Sequence, residues 1–200
     1  MRNAVFVLVF LFCLAVPLRA QSLPQLEIPR YELAAQADFH YLNGVGEWGG
    51  GIGLRFHFNL TDHVAFDSEL VYRQHDLPTL FLATTPPPTI SQTTGLFGVR
   101  VGKRLEGVGF FAHARAGFLN FGSWHGQSLL SRTTFPAFEL GGTYEHYNGP
   151  VVLRFDLGAL TIPYGGATVT PNPLAFPPQA PGRLGTRVSP LASVGFGIRF

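Results

Sequence analysis

The chain has 200 residues, of which 13% are charged, with 24 Gly, 19 Phe and 16 Pro. Soluble domains carry roughly 25% charged residues, so an ordinary water-wetted surface is disfavoured, and the length suits one domain. Fourteen basic against twelve acidic residues leave no patch for nucleic acid, and one cysteine excludes a disulfide framework. Thirteen of the basic residues are Arg and only Lys103 is Lys. Lys is the residue that wets surfaces and blunts sheet edges, whereas Arg suits enclosed, bidentate pairing with carboxylates.

Residues 1–20 read as a secretory signal peptide. Arg2 precedes an apolar run from Ala4 to Leu18, and Leu18-Arg19-Ala20 suggests cleavage after Ala20. The run falls short of the roughly 20 residues a spanning helix needs. Lipid attachment at Cys13 is disfavoured because Phe10-Leu11-Phe12 lacks the small residues that step wants. The mature chain then has no cysteine and twelve charges of each sign.

Residues 21–29 form a short lead, and residues 30–200 read as one run of period-two alternation. The first strand sets Tyr31, Leu33, Ala35, Ala37, Phe39 and Tyr41 against Glu32, Gln36, Asp38 and His40. After a Gly-rich turn from Asn43 to Glu47, the second places Trp48, Ile52, Leu54, Phe56, Phe58 and Leu60 opposite Arg55 and His57. Thr61-Asp62-His63 is a tight turn. The third strand has Val64, Phe66, Leu70 and Tyr72 against Asp67, Glu69 and Arg73. A loop from His75 to Thr93 contains three consecutive prolines, which cannot sit in a paired strand.

The fourth strand offers Phe97, Val99 and Val101 against Arg100, and turns between Lys103 and Gly107. The fifth sets Val108, Phe110, Ala112, Ala114, Ala116 and Phe118 against His113 and Arg115, before a loop from Asn120 to Thr134. The sixth places Phe138, Leu140 and Tyr144 opposite Glu139 and turns at Tyr147-Asn148-Gly149-Pro150. The seventh has Val151, Leu153, Phe155 and Leu157 against Arg154 and Asp156. A proline-rich loop from Thr161 to about Val188 leads to the eighth strand, whose outward positions are Val194, Phe196, Ile198 and Phe200, with Arg199 opposite.

The polar face decides the orientation. It carries Arg55, Arg73, Arg100, Arg115, Arg154 and Arg199 with Glu32, Asp38, Asp67, Glu69, Glu139 and Asp156. An Arg presented to lipid at mid-depth costs roughly 2–4 kcal/mol, so this face cannot meet hydrocarbon. Turned inward, the twelve neutralise one another. The many phenylalanines of the other face are too bulky for an eight-stranded lumen, which side chains just fill. The expectation is an all-β, eight-stranded antiparallel up-and-down transmembrane barrel with a polar, charge-filled interior.

Eight strands, connections alternating short and long after the first, and a final segment ending on Phe200 resemble the small bacterial outer-membrane barrels of the OmpA/OmpX type. That resemblance implies insertion in the outer-membrane bilayer, with both termini and the short turns periplasmic. It also implies that the outer-membrane assembly machinery reads Phe196, Ile198 and Phe200 as a C-terminal signal. No peptidoglycan-binding domain of the kind full-length OmpA-type proteins carry is expected. No cofactor, metal site or nucleic-acid partner is expected, and any extracellular partner would meet the long loops.

Three rival chemistries are testable. Gly44, Gly46 and Gly49 spell a dinucleotide-binding fingerprint, but a strand follows where a helix is required. The inward charges could gate a narrow channel. Lipid A deacylases, with a His, a Ser and a Glu on the outer wall, resemble this chain in size and build. The nearest string, Glu145-His146-Tyr147-Asn148, lacks the serine. Ser123, His125 and Ser128 share a loop.

Overall fold

A computed structural model describes residues 29–43, 47–76, 89–122, 130–168 and 183–200. Eight strands follow in chain order: β1 (Tyr31–Leu42), β2 (Glu47–Asn59), β3 (Val64–Asp76), β4 (Thr89–Leu105), β5 (Val108–Phe121), β6 (Thr134–Asn148), β7 (Val151–Pro163) and β8 (Thr186–Arg199). Each pairs antiparallel with its sequence neighbours, and β8 returns to β1 to close the barrel. The seam runs from Glu32 opposite Arg199 to His40 opposite Leu191. Tyr31 and Phe200 exchange backbone N–H···O bonds of 2.9 Å at its end, so the last residue completes the ladder. Closure leaves no unpaired edge, which a strand in hydrocarbon could not satisfy.

The short connections after β2, β4 and β6 lie at one end, together with Pro29 and Phe200. Gly107 (φ 78°) and Gly149 (φ 58°) take the left-handed conformation that two of these turns need and a Cβ would resist. The other end carries the brief β1–β2 connection and the three longer ones that follow β3, β5 and β7.

The outer wall is apolar over most of its height. Leu157 is 71% exposed, Leu140 67% and Ile52 73%, and Phe39, Phe97, Phe110, Phe138, Phe155 and Phe196 share that surface. Soluble proteins rarely expose apolar patches above a few hundred Å², so this wall requires lipid. Aromatic contacts mark both rims. At the short-turn end Tyr31 packs on Phe58 (5.4 Å) and Phe200 (5.9 Å), and Tyr144 on Phe110 (5.3 Å). At the long-loop end Tyr41 meets Trp48 at 5.3 Å. Amphipathic rings favour such depths.

All three long loops are shorter than the sequence suggests, the middle one only slightly, since β5 continues to Phe121 and β6 begins at Thr134. β3 continues to Asp76, β4 begins at Thr89, β7 continues to Pro163 and β8 begins at Thr186. The reason is an inversion of the pattern. Here the outward positions Ser91, Thr93, Asn120, Thr134, Thr161 and Thr186 are polar, and the inward Ile90, Leu119, Phe121, Phe135, Leu160 and Ile162 are buried and apolar. The strands have left the hydrocarbon and face water, so their greasy side turns inward. The result is a second core at the long-loop end, in which Phe135 meets Tyr164 at 4.8 Å among Leu42, Leu96, Leu119 and Leu160. Burial pushes the Tyr164 phenol up to about 12, so it stays neutral in this cap.

Candidate functional site

Below the apolar cap the lumen holds charge. Period-two strands aim Glu32, Asp38, Arg55, Asp67, Glu69, Arg73, Arg100, Arg115, Glu139, Arg154 and Asp156 inward, and all eleven are buried. With Glu145, the described interior carries seven buried carboxylates and five buried guanidiniums. His57 and His113 lie where the excess carboxylates are. His57 Nδ1 is 3.2 Å from Glu32 Oε1 and its Nε2 is 3.0 Å from Asp67 Oδ1. His113 Nε2 is 2.9 Å from Glu139 Oε1, with Thr143 Oγ1 3.1 Å from its other nitrogen.

Three connected groups of contacts occupy successive depths. Nearest the short-turn end, the Arg154 guanidinium donates to Glu32 and Glu145, and Arg100 donates to Glu145 as well. In the middle, Arg55 donates to Glu69 and, at 2.7 Å, to Asp156. Arg115 donates at 2.6 Å to both Glu69 and Glu139. Thr143 donates to Asp156 at 2.5 Å and Ser193 to it at 3.1 Å. Nearest the cap, Arg73 donates to both oxygens of Asp38 and at 2.7 Å to Thr94. A planar fork reaching two acceptors at once is the reason Arg rather than Lys fills this space.

Glycines make room for these long side chains. A Cβ on Gly51 would lie 2.6 Å from Arg73 Cγ, and one on Gly141 2.5 Å from His113 Nε2. Glu32, His57 and Glu145 bring ligand atoms within 4.8 Å of one another, the dimension of a metal site. The Arg154 guanidinium, 3.0 Å from His57 Nδ1, already supplies the cation there.

The sequence reading met Glu145 only in the deacylase-like string and did not count it among the inward charges. It lies on β6 three inward positions from Glu139, so a continued count of two would have found it. Arg199 sits differently from the other network candidates. It is half-buried at the short-turn end, its guanidinium 4.0 Å over the Tyr147 ring and donating at 2.7 Å to the Gly149 carbonyl. Although Arg199 stands opposite Glu32 in the β1–β8 ladder, its guanidinium is held by Tyr147 and Gly149, and among the described residues no carboxylate lies within ion-pair distance of it.

Glu145 and His146 are neighbours on one strand and therefore point apart: Glu145 is buried in the lumen and His146 is exposed outside. They cannot act on one substrate atom. Phe196, Ile198 and Phe200 all face outward. Ala20 and residues 1–28, Gly44 and Gly46, Leu80–Leu82, Ser123, Trp124, His125, Ser128, Leu174 and Phe176 lie outside the described residues.

Comparison with solved structures places the fold. Neisserial surface protein A superposes with a TM-score of 0.57 at 13% identity, over 85% of this chain and 97% of that one. The N-terminal β-barrel domain of Pseudomonas aeruginosa OprF (13% identity, TM-score 0.47, 85% and 96% covered) is also similar. So is Ail, the attachment invasion locus protein of Yersinia pestis (12%, 0.43, 85% and 96%). No protein-family model and no curated protein sequence matches the chain.

Proposed function

We propose that this chain, whose fold is that of the small OmpA/OmpX-type outer-membrane barrels, is an integral outer-membrane protein acting through its long loops. Its role is structural or surface-interacting, without catalysis. It is exported on a cleaved signal peptide (residues 1–20), keeps a periplasmic lead (residues 21–29), and is inserted by the assembly machinery reading Phe196, Ile198 and Phe200. The short-turn end is periplasmic and the long-loop end extracellular.

The observation that carries this reading is the two-layer filling of the lumen. Ion-paired side chains occupy the lower part and the Phe135–Tyr164 cap the upper part, while the outer wall is apolar. Such a lumen supports a scaffold for loops over a narrow channel. The opposite facing of Glu145 and His146 counts against a deacylase-like site.

The test is a heat-modifiability gel on the outer-membrane fraction. A band that shifts on boiling is expected; a soluble periplasmic product of unchanged mobility would overturn the placement. Planar-bilayer recording should show no steady conductance, and lipid A from cells with and without the protein should have the same mass.

A further inference from the structure

His40 on β1 and His75 on β3 are both fully buried, at the junction between the ion-paired network and the apolar cap. One inward step below them stand Asp38 and Arg73, which neutralise each other. One inward step above His40 is Leu42, and Ile90 lies opposite His75; both belong to the cap.

Gly49 of β2 sits between the two histidines. It pairs with His40 on one side and with His75 on the other, so the three share one level of the wall. Two strand spacings put β1 and β3 roughly 9–10 Å apart. The imidazole centres are only 5.5 Å apart, edge to face at 79°, so the rings lean toward each other across β2. A Cβ at Gly49 would collide with His75 Nδ1 and Cε1, and its absence is what lets that ring lie there.

Gln92 of β4 sets the chemistry of the pair. Its Oε1 accepts from His75 Nε2 at 2.7 Å, which puts the ring proton on Nε2 and leaves the lone pair on Nδ1, the nitrogen over Gly49. A histidine oriented in this way by a carbonyl oxygen is the common arrangement of a metal ligand. His40 supplies the second nitrogen. Neither of its ring nitrogens has a hydrogen-bond partner among the described residues, and so buried an imidazole is costly unless something ligates it.

We infer that His40 and His75 form a two-coordinate site for a monovalent copper-group cation, Cu(I) or Ag(I). Imidazole nitrogen suits copper, and monovalent ions of this group accept two nitrogen donors in line. Imidazoles sharing one ion have centres roughly 6 Å apart, given metal–nitrogen bonds of about 2 Å, close to the spacing here. A divalent ion such as zinc takes more ligands and favours added negative charge, whereas the neighbouring Asp38 is already held by Arg73. No sulfur competes, since Met1 and Cys13 precede the first strand. His40 lies two residues from the end of β1, under the shortest connection at the long-loop end, which is the way in for an ion. The sequence reading expected no metal site, because the two imidazoles come from different strands and no spacing along the chain announces them.

The test titrates the full folded barrel in phosphatidylcholine nanodiscs with Ag(I), and under argon with Cu(I), against a chromophoric chelator. One ion per barrel is expected. Loss of an orienting partner weakens metal binding about 10–100-fold, so Q92L should cost about tenfold and H40Q or H75Q more than about a hundredfold. H146A, on the outer wall, should bind as the wild type does. A heat-modifiability gel confirms that each variant is folded. Without any substitution, Ag(I) should shift the ring nitrogen resonances of His40 and His75 and leave those of the exposed His63 and His146 in place. Equal binding by wild type and H40Q, or shifts confined to His63 and His146, would overturn the proposal. So would a His40 resonance that Ag(I) leaves unmoved because Gln92 Nε2, itself without a partner, donates to that ring. Tighter binding of Zn(II) than of Ag(I) would overturn the monovalent assignment.

Discussion

Replacing Arg115 by Met keeps most of the side-chain volume and removes the charge at the middle of the lumen. Two charge-assisted bonds of 2.6 Å are lost, to Glu69 and Glu139. Each such bond contributes about 1.5–3 kcal/mol. Glu69 keeps Arg55 and accepts from Gln36 at 3.2 Å, so its loss is partly made good. Glu139 keeps only His113, with its second oxygen already lacking a hydrogen-bond partner. A buried carboxylate left so exposed to low dielectric puts the expected destabilisation at about 3–5 kcal/mol. Reversible urea unfolding in phospholipid vesicles, followed by tryptophan fluorescence, measures it. The double change R115M/E139Q should cost less than the sum of the singles by about 1–3 kcal/mol, since the two groups are in contact. An R115M barrel as stable as the wild type, or strictly additive singles, would refute the claim that this pair holds the lumen closed.

The cap should behave as a water-soluble core: Phe135→Ala is expected to cost about 3–5 kcal/mol in the same unfolding assay, whereas Leu140→Ala on the lipid face should cost far less. Leu157→Arg, halfway up the outer wall, should cost about 2–4 kcal/mol and slow insertion into vesicles; a neutral result would place that face away from lipid. Glu145→Gln should destabilise through Arg100 and Arg154, while His146→Ala should leave stability within about 0.5 kcal/mol; equal effects would mean that the two share a site. Deleting Phe200 should slow assembly in cells more than refolding in detergent, measured by pulse-chase heat-modifiability, and equal slowing in both would assign the residue to the β1–β8 seam alone.

Strand number, the outward wall and most of the buried charges were legible in the chain because lipid and lumen impose opposite demands on alternate residues. Leu33 and Glu32, or Phe155 and Arg154, cannot exchange faces without placing a guanidinium or carboxylate in hydrocarbon. That logic holds only over the depth of the bilayer. Above it, Ile90, Phe121 and Ile162 look like loop residues because the sign of the alternation reverses, and only the closed barrel shows that they join one core with Tyr164. Partner choice was likewise invisible from spacing. Arg115 bridges Glu69 on β3 and Glu139 on β6, and Arg154 on β7 reaches Glu32 on β1. Such pairs depend on how strands tilt and stagger around the axis, which sequence position does not encode. The chain by itself determined which side chains must avoid lipid; the closed sheet decided which of them meet, because register around a barrel sets distances that no single strand contains.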